Sequence, residues 1–145
     1  MIEFAVEPIS SDYQVASLET SFDWEEILRA YPRTNFVLFA FRAKFKENAN
    51  MQLIEELDND ANEAAKKFGL LYYFKGKPNI NGDCLSWCLW PELEQAERAA
   101  ATDEHRSAAA IAKNNYKPFN VEVYFLRKAF DGIRFERILD RPSHH

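Results

Sequence analysis

The sequence predicts an α+β fold in which an antiparallel four-stranded sheet carries two helices on one face. Two stretches between residues 35 and 128 each read as strand, helix, strand, and a tight Asn81-Gly82 turn joins them. Each strand-helix-strand crossover demands parallel strands, while the hairpin between the units fixes an antiparallel central pair. Together these give β-α-β-β-α-β, the split βαβ or ferredoxin-like order.

At 145 residues the chain is of single-domain size and can bury a core without disulfide or metal staples. It divides into an N-terminal arm with a short helix (1–34), the main domain (35–140) and a tail (141–145) that closes on His144 and His145 and reads as disordered chain or a tag remnant. In the arm, Phe4-Ala5-Val6 is a candidate edge strand. Ser21 is placed to N-cap a helix over Phe22-Asp23-Trp24-Glu25-Glu26-Ile27-Leu28 that stops before Pro32. Phe22, Trp24, Ile27, Leu28 and Tyr31 recur at helical spacing, as a stripe docked on the main domain or as a functional lid.

The first strand, Phe36 to Phe45, starts wholly apolar and then alternates, with Val37, Phe39, Phe41, Ala43 and Phe45 on one face. Helix one runs from about Asn50 to Phe68 with Gly69 as its C-cap, and its apolar stripe passes through Leu57 or Asp58. Leu70 to Phe74 is strand two, and residues 75 to 83 form a polar loop. In strand three, Cys84 to Trp90, the residues Leu85, Trp87 and Leu89 face one way and Cys84, Ser86, Cys88 and Trp90 the other. Pro91 is placed at the first helical position of helix two, which is alanine-dense from Ala96 to Ala112, a composition that permits close approach to the sheet. Thr102 and Asp103 interrupt it and can N-cap a second segment, so a kink or two pieces are expected. Strand four, Asn120 to Lys128, alternates Val121, Val123 and Phe125 with Asn120, Glu122, Tyr124 and Leu126. The Asp131-Gly132 turn after it leads into a short edge strand.

Charge and motifs exclude whole classes of function. With 18 Lys plus Arg against 23 Asp plus Glu, the net charge of -5 opposes a phosphate backbone, so neither nucleic acid nor anionic membrane is an expected partner. The start lacks the basic and apolar regions of a signal peptide, and no run approaches the ~18 apolar residues that cross a bilayer, which points to a soluble cytoplasmic protein. Cys84 and Cys88 would stand roughly 13 Å apart on a strand, too far to bridge, and read as buried free thiols. Four glycines, at 69, 76, 82 and 132, assemble neither a dinucleotide fingerprint nor a P-loop. G-x-S-x-G, H-E-x-x-H and metal-spaced carboxylates are missing too, so neither cofactor nor metal is expected.

A sheet with helices on one face must hide the other. One phase of the alternation would place Leu38, Tyr72, Phe74, Trp90, Tyr124 and Leu126 there, a patch too apolar to face water. The economical cover is a second copy, sheet against sheet, in a homodimer. Residues 35 to 128 at this point resemble the dimeric α+β barrel superfamily, which includes antibiotic biosynthesis monooxygenases and small polyketide cyclases. The Cys84-Leu85-Ser86-Trp87-Cys88-Leu89-Trp90 strand, a following helix with a histidine, and the closing Val121-Glu122-Val123-Tyr124 strand also look like a fungal family without assigned activity. The resemblance implies a ligand between sheet and helices or at the barrel mouth.

His105 is the foremost candidate for proton transfer, since a neutral imidazole near pKa ~6.5 suits enolisation or cyclisation; beside Asp103 and Glu104 the simpler reading is an ordinary histidine on the helix surface or at its N-terminus. Glu122, on one face with Tyr124, is either a carboxylate held inside a barrel or a solvent-facing residue. Arg42 either binds a carboxylate or enolate or marks where the sheet meets water. Phe39, Phe41, Tyr72, Tyr73, Trp87 and Trp90 are candidate pocket walls, in a chain with 12 Phe, 6 Tyr and 3 Trp, more than a small core needs. The expected function is a cofactor-independent enzyme of specialised metabolism. In this reading it is a cyclase, pericyclic reactions included, that folds an apolar polyene or polyketide-like substrate, because orientation alone supplies up to ~7 to 11 kcal/mol. His105, Glu122 or Tyr124 would polarise the substrate, with Trp87 and Trp90 as the wall. The rivals are a cofactor-free monooxygenase of an aromatic substrate and a non-catalytic dimeric ligand-binding protein.

Overall fold

The computed structural model describes residues 5–138. Two short helices, α1 (Leu18–Ser21) and α2 (Trp24–Arg29), precede β1 (Asn35–Phe45), α3 (Met51–Lys66), β2 (Tyr72–Lys75), β3 (Asp83–Trp90), α4 (Leu93–Ala100), α5 (Asp103–Asn115), β4 (Tyr116–Ala129) and β5 (Gly132–Arg137). The strands make one sheet in the order β2-β3-β1-β4-β5 with every neighbouring pair antiparallel. β1 and β2 therefore run parallel with β3 between them, as a split crossover requires. The hairpin pair β2–β3 is antiparallel but lies at one edge, and the centre of the sheet is β3-β1-β4. The Asp131-Gly132 turn, with Gly132 at φ 133°, leads into β5.

Local chemistry sets the element ends. Ser21 closes α1; the cap of α2 is Asp23, whose carboxylate accepts the Glu26 N–H at 3.1 Å. Pro91 stays outside α4, which opens on Glu92 in a reciprocal capping box with Gln95. The expected break in helix two is real: Thr102 caps α5 by accepting the His105 N–H at 3.2 Å. Gly69, at φ 100°, ends the turn after α3 while its N–H and that of Leu70 return to the Lys66 and Ala65 carbonyls. β4 begins at Tyr116, four residues earlier than expected, and runs through Pro118. The pairing slips there, Ala43 opposite Phe119 but Phe45 opposite Tyr116, so the strand carries one extra residue where a missing N–H is tolerated. Of the expected arm strand, Ala5 and Val6 are not in a strand; Phe4 and the tail 141–145 lie outside the described residues.

Alternation gives the sheet two apolar faces. Leu38, Ala40, Leu85, Trp87, Leu89 and Leu126 share one and are at most 1% exposed; Val37, Phe39, Cys88, Trp90 and Val123 share the other, beneath the helices. Trp90 thus sits on the helix side and not on the open side, where it had been expected with Leu38. The arm lies on the first face. Phe22, Trp24, Ile27 and Leu28 join Leu38, Trp87, Leu89 and Leu126 in one core, with Phe22 4.9 Å from Phe74 and Trp24 5.0 Å from Trp87 between ring centroids. Hydrogen bonds hold its backbone down: Tyr31 Oη donates to the Leu71 carbonyl at 3.0 Å, Lys128 Nζ to the Tyr31 carbonyl at 2.6 Å, and the Val6 N–H to Tyr72 Oη at 3.0 Å. The bare surface from which a second copy was inferred is therefore covered within a single chain. Among the described residues no helix is long and apolar enough to cross a membrane.

Candidate functional site

On the other face the helices do not close fully onto the sheet. α5 buries none of its residues, and its His105, Ala108, Ala109 and Ala112, at helical spacing, look across a partly open cavity of about 150 Å³. α3 presents Asp58, Ala61, Asn62 and Ala65 at the same spacing, and α4 adds Ala96, Ala99 and Ala100. The floor is the helix-side phase of the strands: Phe39, Phe41 and Ala43 of β1, Tyr73 of β2, Cys84, Ser86, Cys88 and Trp90 of β3, Tyr116 and Phe119 of β4. The alanines had been expected to bring helix two close to the sheet. Those of α5 border open space instead, because a side chain of one carbon reaches no farther. Its enclosed part has room for about one aromatic ring.

The cavity brings together His105, Phe39, Phe41, Tyr73 and Trp90 of the residues picked out from sequence. It does not include Arg42, Glu122, Tyr124, Tyr72 or Trp87, which belong to the opposite phase and lie under the arm. There Arg42 Nε donates to Glu122 Oε2 at 2.8 Å, and its two terminal nitrogens donate to the Gln14 and Ala16 carbonyls at 2.9 and 2.8 Å. Tyr124 Oη completes the network by donating to Glu122 Oε1 at 2.5 Å; burial, then this bond, pushes the phenol up to about 12. The guanidinium thus clamps arm to sheet. Trp87, wholly buried, stacks on Phe74 at 5.6 Å and meets Tyr72 at 5.7 Å. Trp87 and Trp90, three apart on one strand, cannot share a wall.

Burial sets the electrostatics of the cavity. It lowers the pKa of His105, keeping the imidazole neutral near pH 7 and able to accept a proton. Burial first, and the Asp58 carboxylate second, raise the phenols of Tyr73 and Tyr116, which stay protonated donors. Asp58 itself pairs with Lys75, Oδ2 to Nζ 3.0 Å. Burial pushes Cys84 up to about 11 and Cys88 up to about 12, and the Trp90 indole donates to Cys88 Sγ at 3.1 Å, so both are poor nucleophiles. Among the described residues no group of three or more His, Cys, Asp or Glu side chains could hold a metal ion. Sequence reasoning missed Asn62, Ser86, Tyr116 and Phe119 and left Asp58 as one of two choices on its helix. The signal for Asp58 and Asn62 was their i, i+3, i+4, i+7 spacing with Ala61 and Ala65.

An antiparallel sheet covered by helices on one side, with a cavity between the layers, defines a small ferredoxin-like α+β protein related in fold to antibiotic biosynthesis monooxygenase-like proteins. Within that class the chain belongs to the PB2B2.08-like family, whose model matches residues 4–138. Among solved structures it is similar to SnoaB, a cofactor-independent oxygenase from Streptomyces nogalater, at 11% identity and TM-score 0.55 over 66% of this chain and 97% of that one. It is similar also to protein SO0527 from Shewanella oneidensis, at 14% identity and TM-score 0.55 over 64% and 92%. An antibiotic biosynthesis monooxygenase matches at 13% identity and TM-score 0.52 over 60% and 94%. These likenesses show the fold. Nearly the whole of each relative is spanned by 60 to 66% of this chain. Among curated proteins no match was found.

Proposed function

We propose that this protein is a cofactor-independent enzyme for a small, largely apolar substrate of about one ring, bound between sheet and helices, with His105 as the group that takes and returns a proton. The observation that carries this reading is the position of His105, a half-buried neutral imidazole set into walls rich in alanine and aromatic rings. A neutral imidazole removes a proton from carbon next to a carbonyl, and the Tyr73 or Tyr116 hydroxyl donates to the oxygen on which charge develops. The proton then returns to another atom of the same molecule, with or without closure of a ring bond, so the reaction is an isomerisation or cyclisation that loses no atom. The enclosed part of the cavity suits a substrate portion of about one ring, and a longer substrate would extend through its open side. Arg42, Glu122 and Tyr124 have no part in it. A homodimer, which the superfamily resemblance implies, has to pair through surfaces other than the sheet face that the arm occupies.

A second reading is favoured by the likeness to SnoaB: a monooxygenase in which the deprotonated aromatic substrate itself reduces dioxygen, one oxygen atom replacing two hydrogens of a ring CH₂ as C=O and the other leaving as water. The test begins with mass spectrometry of small molecules that co-purify with the full chain, followed by turnover of the ligand found, with and without oxygen. His105→Ala is expected to lower kcat by about 10²- to 10⁴-fold while ligand affinity stays within a few fold. Stoichiometric oxygen uptake selects the second reading. Turnover unchanged by His105→Ala overturns both, and binding without turnover leaves a ligand-binding protein.

A further inference from the structure

Charge is distributed unevenly around the cavity. Its lining includes one carboxylate, Asp58, and neither lysine nor arginine among the described residues. The amine that reaches Asp58, Lys75, is already paired with its Oδ2, and Arg42, the guanidinium that would suit an anion, is spent on the arm behind the sheet. Tyr73 and Tyr116 line the same cavity as Asp58, and its charge raises both phenols, so polar groups stand among alanines and aromatic rings there. A carboxylate offers four acceptor positions on two oxygens, and one ammonium leaves room for a second donor.

We propose that the cavity selects an uncharged single ring bearing a hydroxyl that donates to Asp58, and rejects carboxylated or phosphorylated forms of the same ring. This deepens the proposed function, because it rests on the cavity being the substrate site. The physical reasons are separate. An anionic ligand gives up its hydration for a wall whose one nearby ammonium, that of Lys75, is already paired with Asp58 and which offers it no free cation. A neutral hydroxyl instead exchanges water for a charge-assisted bond, the stronger kind, while its ring fills the alanine-lined space. Tyr73 and Tyr116 remain donors for the carbonyl oxygen of the proposed reaction. Asp58 is thus a specificity-determining residue and His105 the one that does chemistry.

The test is calorimetric titration of the full chain with phenol, toluene and benzoate, which share one ring and differ at one group. Phenol is expected to bind about tenfold more tightly than toluene, since Asp58 keeps some contact with water, and about a hundredfold more tightly than benzoate. In Asp58→Asn the gap between phenol and toluene narrows; benzoate also binds better there because the Lys75 ammonium is set free, so the deciding variant is Asp58→Asn with Lys75→Met, in which the phenol–toluene gap narrows without that amine. Ala109→Trp, which fills the cavity, abolishes all binding. Benzoate binding as tightly as phenol to the unmodified chain overturns the inference and leaves the site intact, as does an unchanged phenol–toluene gap in the double variant. Failure of every ring to bind, or binding that survives Ala109→Trp, overturns this inference and the proposed function together. His105→Ala keeps the phenol, toluene, benzoate order, so loss of turnover there tests the chemistry alone.

Discussion

Replacing Arg42 with methionine removes the group that fastens the arm to the sheet, and the structure sets the size of the effect. The guanidinium makes three bonds of 2.8, 2.9 and 2.8 Å, one to Glu122 and two to arm carbonyls, with the two charged side chains only 19% and 16% exposed. Hydrogen bonds to a charged group contribute about 1.5 to 3 kcal/mol each. Methionine keeps the packing of the aliphatic stem, and the freed carbonyls regain some water at this partial exposure, so Arg42→Met is predicted to cost ~2 to 4 kcal/mol. Glu122 keeps the Tyr124 hydroxyl but loses its counter-charge, so adding Glu122→Gln recovers about 1 kcal/mol. Urea unfolding followed by tryptophan fluorescence reports it directly, because Trp24 and Trp87 meet at 5.0 Å where the arm touches the sheet. The midpoint should fall with little change in slope. A loss under about 0.5 kcal/mol would refute the clamp. Loss of phenol binding with stability retained would return Arg42 to the ligand site.

Removing residues 1–33 uncovers Leu38, Trp87, Leu89 and Leu126, and the truncated chain is predicted to self-associate in sedimentation experiments; a monodisperse truncated monomer speaks against the arm as cover. Because burial lowers the pKa of His105 from 6.5, the unfolded chain binds the proton first; stability is therefore complete above pH 6.5 and declines as pH falls below it. His105→Gln should show a shallower decline over the same interval, and parallel curves would contradict the burial. With Cys84 pushed up to about 11 and Cys88 up to about 12, iodoacetamide at pH 8 should alkylate the native chain at least ~100-fold more slowly than the urea-unfolded chain. Equal rates would place the thiols in water.

Much of the fold was legible because strand periodicity is local. The opposite phases of Leu85, Trp87 and Leu89 against Cys84, Ser86 and Cys88 needed only their spacing, and the same spacing correctly set Phe39 beside Phe41. Which phase faces the helices was not legible, since both are apolar, and Trp90 was consequently placed on the wrong side. The polar residues misled for a related reason: Glu122 in an apolar strand looks alike whether it serves a substrate or binds an arginine 80 positions away. Two helix starts were written in the chain and overlooked. Asp23 three before Glu26 and Glu92 three before Gln95 are capping patterns, outweighed in the reading by Ser21 and Pro91. The early start of β4 went unseen because a proline argues against strand unless a bulge is foreseen. The cavity followed from no local rule, since an alanine stripe reads as tight packing and as empty space with equal ease.

The arm is joined to the sheet it lies on by the short link between Arg29 and Asn35. Such a tether holds Trp24 and Phe22 at a local concentration in the millimolar range, whatever the amount of protein present. A cover supplied by a separate molecule departs on dilution; this one does not. The back of the sheet is as well protected in one molecule alone as in a crowded cell.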